Sequence, residues 1–244
     1  MLRLSLEPAF VLHRRPYRNT SLLLEVITPA HGRLGLVARG ARGPRSRLRG
    51  RLEPFVPLLL SALGRGELLT LSGVEEAPPL PQLPPERLLS GFYVNELLLK
   101  LLPRHDPQPV LFAAYREVLA ALGGQAGEEA TLRIFEKRLL AELGYGLQLE
   151  YEADSGRPIE ADRHYRYLLE RGPVAGGRTG LSVSGRGLLA LGREQLDGAV
   201  LKEIKGLTRA AIARQLEGRP LGTRELAVAR RRRDDLHSSE DRER

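Results

Sequence analysis

Arginine is the residue type in this 244-residue sequence whose chemistry and spacing stand out. Between positions 33 and 51 there is no acidic residue and there are seven arginines, namely Arg33, Arg39, Arg42, Arg45, Arg47, Arg49 and Arg51. A guanidinium group stays charged at physiological pH, and its forked N–H donors match phosphate oxygens. Gly40, Gly43 and Gly50 lie between the arginines, where a missing side chain lets a phosphate strand approach the backbone. The segment therefore predicts a phosphate-binding surface.

The positive charge of the chain is concentrated in its first third. Residues 1–80 contain 12 Lys and Arg against 6 Asp and Glu, whereas residues 81–244 contain 26 against 24. A localised excess of this kind favours a polyanionic partner. The alternative is a solvated basic face that has no partner.

Residues from an earlier part of the chain extend the predicted surface. Arg14 and Arg15 lie in the first strand-to-strand connection, and Tyr17 is the aromatic residue best placed to stack on a base. Phe10 and Phe55 lie within apolar runs and are expected in the core. The candidate DNA-binding residues are thus Arg14, Arg15, Tyr17 and the seven arginines above. Many arginines and few aromatics favour backbone recognition, and roughly six phosphate contacts to single-stranded DNA predict a log–log salt slope of about −4.

Signals for catalysis are weak. The sequence has no Walker A loop, no G-x-S-x-G elbow, no H-E-x-x-H motif and no cysteine. An acidic group could in principle serve a two-metal nuclease, and it consists of Glu150, Glu152, Asp154, Glu160 and Asp162. It lies among arginines without a catalytic spacing, so we interpret it as solvated ion pairs. We expect no catalytic residue, no metal and no cofactor.

A second binding chemistry is suggested by the stretch ATLRIFEKRLLAELGYG, a predicted amphipathic helix. One interpretation is an ordinary bundle helix with an apolar face. The other is a groove for an acidic peptide that ends in an apolar side chain, because such a site needs a hydrophobic slot beside a cation. The candidate peptide-binding residues are Arg133, Phe135, Lys137 and Leu140.

The elements that must position these residues begin with a β module. Five short apolar runs predict strands, and they are residues 9–13, 21–28, 34–39, 52–60 and 68–74. This pattern fits a small antiparallel barrel of the OB type, with an SH3-like barrel as the structural alternative. The Pro-rich stretch 77–85 then predicts a domain boundary.

Helical periodicity follows the boundary. Helices are predicted at residues 86–102, 110–122, 128–143 and 193–216, with a shorter one beginning near Thr223. Hairpins or loops are expected around residues 145–193. The predicted domains are therefore an OB domain at 1–80, a helical domain at 81–145 and 194–229, a small third domain at 146–193, and a charged, flexible tail at 230–244. No apolar run approaches the ~20 residues of a membrane span and no secretory signal is recognisable, so a cytosolic protein is expected.

Several stretches resemble one known family. AFVLHRRPYRNTSLLLEVITPAHGRLGLVARGARGPRSRLRGRLEPFVPLLL, followed by GRGELLTL, is similar to the OB domain of the bacterial RecO family of DNA repair and recombination mediators. SGFYVNELLLKLL, LRIFEKRLLAELGYG and LEGRPLGTREL resemble helical segments of the same family. The resemblance covers nearly the whole chain. Its most specific part is V-A-R-G-A-R followed by P-F-x-P-L.

The resemblance implies an α+β multidomain protein in which an N-terminal OB-fold β-barrel is followed by a helical bundle with a small, degenerate zinc-ribbon-like insertion. It implies binding of single- and double-stranded DNA at the nucleoid, annealing of complementary strands, and help for RecA in displacing single-strand-binding protein. The implied partners are RecR and the acidic C-terminal tail of single-strand-binding protein. An RNA-binding OB protein of translation or ribosome assembly is the alternative function.

The third domain departs from the pattern of many RecO members, which carry a four-cysteine zinc site there. This chain has YEADSGRPIEADRHYRYLLERGPVAGG at that place and no cysteine, so zinc is expected to be absent. Packing of Ile159, Tyr165, Tyr167 and Leu168 is expected to hold the domain together instead.

Overall fold

Residues 2–76 form a closed five-stranded barrel in the computed structural model, which describes residues 1–176 and 180–230. Its strands are β1 (Leu2–Tyr17), β2 (Ser21–Thr28), β3 (Gly32–Ala38), β4 (Pro57–Gly64) and β5 (Leu68–Glu76). The strand order is β1-β2-β3-β5-β4, with β1 pairing β4 to close the barrel and β3 running parallel to β5. This is the OB topology, so the OB prediction is confirmed over the SH3-like alternative.

Two strands differ in extent from the prediction. β1 begins at Leu2 rather than at residue 9, because it bends across two neighbours, with register shifts near residues 4–7 and 11–13. β4 begins at Pro57 rather than at residue 52. Leu52 is buried but belongs to the preceding segment, and Phe55 has a left-handed φ of 70°, which a regular strand does not tolerate.

A helical bundle follows a short 3₁₀ turn at Pro85–Arg87. The helices are α1 (Leu88–Leu101), α2 (Pro109–Gly123), α3 (Glu128–Glu142), α4 (Gly185–Gly192), α5 (Leu201–Leu216) and α6 (residues 222–230). The prediction located α1, α2, α3 and α6 to within about two residues. α5 begins later than the predicted residue 193, because Asp197 Oδ1 accepts hydrogen bonds from the backbone N–H groups of Ala199 and Val200 and forms a turn first.

A three-stranded sheet with the order β7-β6-β8 lies between α3 and α4. Its strands are β6 (His164–Leu168), β7 (Gly172–Ala175) and β8 (Ser182–Ser184). Ile159, Tyr165 and Tyr167 are buried in a cluster that also contains residues of α5, whereas Leu168 is half-buried outside it. Three of the four residues expected to pack the small domain are therefore buried together. The helix α4 was not predicted.

Besides the core inside the barrel, a second hydrophobic cluster joins the barrel to the bundle. Phe10 of β1 is buried among helical residues, with its ring centroid 5.5 Å from that of Phe112 and 5.1 Å from that of Tyr115. Asn95 Nδ2 of α1 donates to the carbonyl of Leu12 at 2.8 Å, and Asn95 Oδ1 accepts from the Tyr115 hydroxyl at 2.7 Å. The barrel is thus fixed against α1 and α2 by buried contacts.

Within residues 1–176 and 180–230, no helix is long and apolar enough to cross a membrane. Apart from Arg230, which ends the described part of α6, the predicted charged tail lies outside the described residues.

Candidate nucleic-acid interface

The hairpin formed by β1 and β2 extends past the barrel and meets the arginine-rich segment, defined here as residues 39–51. Together they form an open groove of about 520 Å³. The groove is lined by Arg14, Arg15, Pro16, Leu22, Ala41, Arg42, Pro44, Leu48, Arg49 and Gly50. Four arginines that the sequence separates by up to 35 positions therefore line one groove with an apolar floor. We call it the arginine groove.

Backbone hydrogen bonds and apolar anchors position the arginine-rich segment. The Arg42 N–H donates to the carbonyl of Thr20 in the hairpin at 2.7 Å, and the N–H of Gly43 donates to Gly40 O at 3.0 Å. Ala41 is buried, and Leu48 packs partly buried against the barrel core. Between and around these anchors lie the exposed arginines, which are Arg39, Arg42, Arg45, Arg47 and Arg49. The segment therefore presents its guanidinium groups from a backbone that is tied to the barrel.

Most of these cations have no internal counter-ion. Within the described part of the chain, Arg15, Arg39, Arg42, Arg45, Arg47 and Arg49 have no carboxylate within ion-pair distance. Arg14 differs, since its Nη2 lies 2.6 Å from Glu53 Oε2. Arg51 is half-buried and lies 3.7 Å from Glu76, beside an apolar groove lined by Phe55 and Leu83 rather than in the arginine groove. The net field of the arginine groove is strongly positive.

Arg33 does not share this surface, which corrects one part of the prediction. It lies near the start of β3, whereas Arg39 follows the end of that strand, about 20 Å away at the usual rise per residue. Its Nη1 donates to the carbonyl of Leu99 in α1 at 2.5 Å. Burial lowers the pKa of Arg33, with Arg104 adding repulsion against the attraction of Glu25. Arg33 joins the barrel to the bundle.

Tyr17 is half-buried at the end of β1 and is not among the residues that line the arginine groove. The guanidinium carbon of Arg18 lies 5.3 Å from the centroid of its ring. A cation therefore already covers one face of the ring, and base stacking on the other face stays a prediction.

A second candidate site is a pocket of about 210 Å³ between α1, α3, α5 and α6, which we call the cationic pocket. It is lined by Leu89, Ser90, Tyr93, Glu128, Glu129, Leu132, Arg133, Lys205, Arg209, Thr223, Arg224 and Ala227. Arginines from three helices line one side, and Leu89, Leu132 and Ala227 provide apolar wall. Lys205 is paired with Glu129 at 2.5 Å. The other carboxylate of the lining, Glu128, accepts a hydrogen bond from the Ser90 hydroxyl, so the three arginines still outnumber the acidic charge.

Arg133 is the most buried cation of the cationic pocket, with 3% of its surface exposed. Its Nη2 lies 2.9 Å from Glu136, while its Nε and Nη1 are buried with no hydrogen-bond partner among the described residues. Burial lowers the pKa of Arg209, and the neighbouring charges of Arg133 and Arg224 lower it further. Arg224 Nη2 donates to the Tyr93 hydroxyl at 3.2 Å. Three crowded cations beside an apolar wall can attract a carboxylate that adjoins an apolar side chain.

The other predicted peptide-binding residues do not line this pocket. Phe135 and Leu140 are 2% and 0% exposed and belong to the bundle core, so the bundle-helix interpretation applies to them. Lys137 Nζ lies 2.7 Å from Glu194 and donates to the carbonyl of Gly192 at 3.3 Å. Arg209 and Arg224 were missed, because no spacing in the sequence relates α5 and α6 to α3.

Three of the five acidic residues of the third domain, Glu152, Asp154 and Glu160, are paired with arginines. Glu152 is buried, accepts a hydrogen bond from Ser155 Oγ and lies 3.4 Å from Arg163. Arg163 also pairs with Glu160 at 3.1 Å. In the part of the chain that the structure describes, no group of three or more His, Asp or Glu side chains is placed to hold a metal ion. The ion pairs of Asp154 and Glu160 are exposed as predicted, whereas Glu152 is buried.

Comparison with known proteins gives matches along nearly the whole chain. The family model described as recombination protein O N terminal matches residues 1–77, and the one described as recombination protein O C terminal matches residues 83–225. A DNA repair protein RecO from Nitrosococcus oceani is 49% identical over 99% of this chain and 100% of its own length. Those from Methylococcus capsulatus and Coxiella burnetii are 48% and 49% identical over 92% of this chain and 93% and 98% of their own lengths.

Proposed function

The chain belongs to the RecO family of DNA repair proteins, and from this premise we propose that it acts as a non-enzymatic, DNA-binding recombination mediator. It binds single- and double-stranded DNA at the nucleoid and anneals complementary strands. It cooperates with RecR and with single-strand-binding protein so that RecA is loaded. The arginine groove is the observation that supports the DNA-binding part of this proposal.

The chemistry of the arginine groove suits annealing. Two complementary strands repel each other through their phosphates, and a surface that neutralises phosphates lowers that repulsion. The floor of the groove contains Leu22, Ala41 and Leu48 and no aromatic side chain, so bases are not gripped by stacking. A strand held by its backbone keeps its Watson–Crick edges free to pair. Annealing then needs no bond-making chemistry.

The test removes two unpaired cations from the arginine groove. We expect Arg42→Ala combined with Arg49→Ala to weaken binding of short single-stranded DNA by at least tenfold at low salt, and to flatten the log–log salt slope by about 1.4 for two lost phosphate contacts. Fluorescence anisotropy measures the affinity, and a strand-annealing assay should show a parallel loss. The proposal requires both activities to fall together.

The matched control removes two exposed arginines that lie elsewhere and have no carboxylate partner among the described residues, Arg65 in the β4–β5 turn and Arg116 in α2. Arg65→Ala with Arg116→Ala lowers the net charge equally, so an equal loss in both double variants would contradict a specific groove. RNA of the same sequence tests the alternative of an RNA-binding OB protein, since a preference for RNA requires contacts to the 2′-hydroxyl. Tighter RNA binding would favour that alternative.

We further propose that the cationic pocket captures the acidic, apolar C-terminal tail of single-strand-binding protein. The free donors of Arg133 and the repulsion among Arg133, Arg209 and Arg224 support an anionic ligand, and the apolar wall supports an apolar side chain next to it. Capture of the protein that coats a strand would raise the effective concentration of the arginine groove at that strand. The two sites would then act in sequence.

Arg209 gives a cleaner test of this capture than Arg133. Removing Arg133 leaves the buried Glu136 without its cation and with only the Tyr93 hydroxyl as a partner, which costs about 3–5 kcal/mol of stability. Arg209 is only partly covered and has no carboxylate within ion-pair distance among the described residues. We expect Arg209→Ala to weaken binding of a labelled acidic tail peptide by about tenfold, on the scale of one lost charge-assisted contact. Binding of naked DNA should stay unchanged. Lys202→Ala, on the exposed face of the same helix, is the control, and an equal loss in it would contradict the pocket.

A further inference from the structure

One cation of the arginine groove is neutralised from within the protein. Arg14 Nη2 lies 2.6 Å from Glu53 Oε2, and the two side chains are 38% and 36% exposed. Arg15, Arg42 and Arg49, which line the same groove, have no such partner among the described residues. Glu53 is also the first acidic residue that follows the arginine-rich segment in the sequence. A carboxylate therefore lies against the arginine groove at one arginine.

The backbone holds Glu53 in this position. Leu52, immediately before it, is buried in the barrel core, and Pro54, immediately after it, forms an isolated bridge with Val11 of β1. Arg14 lies farther along β1, where that strand pairs with β2. The carboxylate is thus fixed between two anchored residues next to the strand that bears its partner.

An exposed ion pair of this kind is weak enough to be displaced by a phosphate. Displacement leaves the Glu53 carboxylate close to the incoming phosphate, and like charges at short range repel. Arg14 therefore contributes less to DNA affinity than an unpaired arginine. The carboxylate lowers the affinity of the whole groove.

We propose that Glu53 is a built-in counter-anion that sets the affinity of the arginine groove, keeping it low enough for a strand to leave after pairing. The inference rests on the proposed function, because it concerns the same groove. An annealing protein must release its duplex product, and a groove with every cation free would hold that product longer. Glu53 thus lowers the affinity for DNA and speeds release of the annealed duplex.

The experiment removes the charge of Glu53 but keeps the size of its side chain, so that Arg14 loses its ion-pair partner. We expect Glu53→Gln to tighten binding of short single-stranded DNA by about threefold to tenfold at low salt, through relief of one close repulsion. The log–log salt slope should steepen by about 0.7, as for one added phosphate contact. Dissociation of annealed duplex, followed by stopped-flow fluorescence, should slow by a similar factor. Glu53→Ala should reproduce these changes, so the test does not depend on one variant.

A double-mutant cycle shows whether the effect runs through Arg14. Arg14→Ala alone should weaken binding, because it leaves the Glu53 carboxylate unpaired beside the groove, where it repels phosphate. Added to Glu53→Gln, it should abolish the gain. Glu67→Gln removes a carboxylate paired with Arg104 at 3.4 Å outside the groove, and should leave the affinity unchanged.

The outcomes of the two proposals can be told apart. An equal gain in Glu67→Gln, or an Arg14→Ala, Glu53→Gln double variant that binds as tightly as Glu53→Gln alone, would overturn the role of Glu53 and leave the groove intact. Unchanged DNA binding in the Arg42→Ala, Arg49→Ala protein would instead overturn the groove itself.

Discussion

Glu194, which follows α4, is the carboxylate whose environment most clearly ties stability to pH. Arg138 of α3 donates to it from Nε at 2.9 Å, and Lys137 lies 2.7 Å away. The hydrogen bond from Arg138, with help from Lys137, lowers the pKa of Glu194 from 4.5 to about 2. The charged form is therefore favoured in the folded state. This cluster fastens α3 to the end of α4.

Replacing Glu194 by Gln should make the protein less acid-sensitive. A depressed folded-state pKa adds stability above the unfolded pKa near 4.5, and that stability is lost as the pH falls toward 2. After screening by solvent, we expect Glu194→Gln to lower the free energy of unfolding by about 1 kcal/mol at pH 7. Urea titrations from pH 7 to pH 3 should show this difference shrinking below pH 4.5.

Glu142 provides the comparison, since it is exposed on α3 and has no ion-pair partner in the part of the chain that the structure describes. Glu142→Gln should change stability little at any pH. If Glu194→Gln lowered the free energy of unfolding by the same amount from pH 7 to pH 3, the ion pair would not set the acid response.

Single residues were predictable from the sequence where their chemistry depends on near neighbours along the chain. Arg42 and Arg49 belong to one dense run of cations, and the structure places them in one groove with Arg14 and Arg15. The position of Arg33 outside that groove was not predictable, because its contact with Leu99 depends on a helix that the local pattern does not relate to it.

At the scale of elements, the sequence predicted those strands and helices whose apolar residues recur at a regular spacing. β2 and the helices α1 to α3 have regular apolar faces, and they were found close to their predicted bounds. α4 was missed because GRGLLALG is rich in glycine, and its start depends on Ser184, whose side chain accepts a hydrogen bond from the Gly187 N–H at 3.0 Å. Such a cap is visible in the sequence only when a helix is already expected after it.

The segment before β4 shows why an apolar run is not always a strand. Leu52 is buried in the barrel core, yet it lies in a bend rather than a strand. Phe55 packs edge-on against Phe92 of α1, with the ring centroids 4.9 Å apart. The apolar residues here anchor the arginine-rich segment at one end and the helical bundle at the other. Their tertiary contacts, rather than a two-residue period, select the backbone conformation.

At the scale of the whole molecule, the barrel and the bundle are joined more closely than the Pro-rich stretch suggests. Phe10, Leu12 and Ile27 belong to the barrel strands but are buried in the helical core. Leu80 and Leu83 of the Pro-rich stretch pack against the same core. An independent OB domain would expose these residues to water. The arginine groove is therefore held in a fixed position relative to the bundle.

This shared core predicts that the barrel and the bundle lose stability together. Phe10 is 1% exposed and contacts Phe112 and Tyr115, so Phe10→Ala should lower the free energy of unfolding by about 3–5 kcal/mol. Hydrogen exchange followed by mass spectrometry should show protection falling by the same factor in β2, β3 and α2, as expected for one cooperative unit. Loss of protection confined to the barrel strands would contradict the shared core. Phe92, 43% exposed, is the matched control, and Phe92→Ala should cost only about 1 kcal/mol.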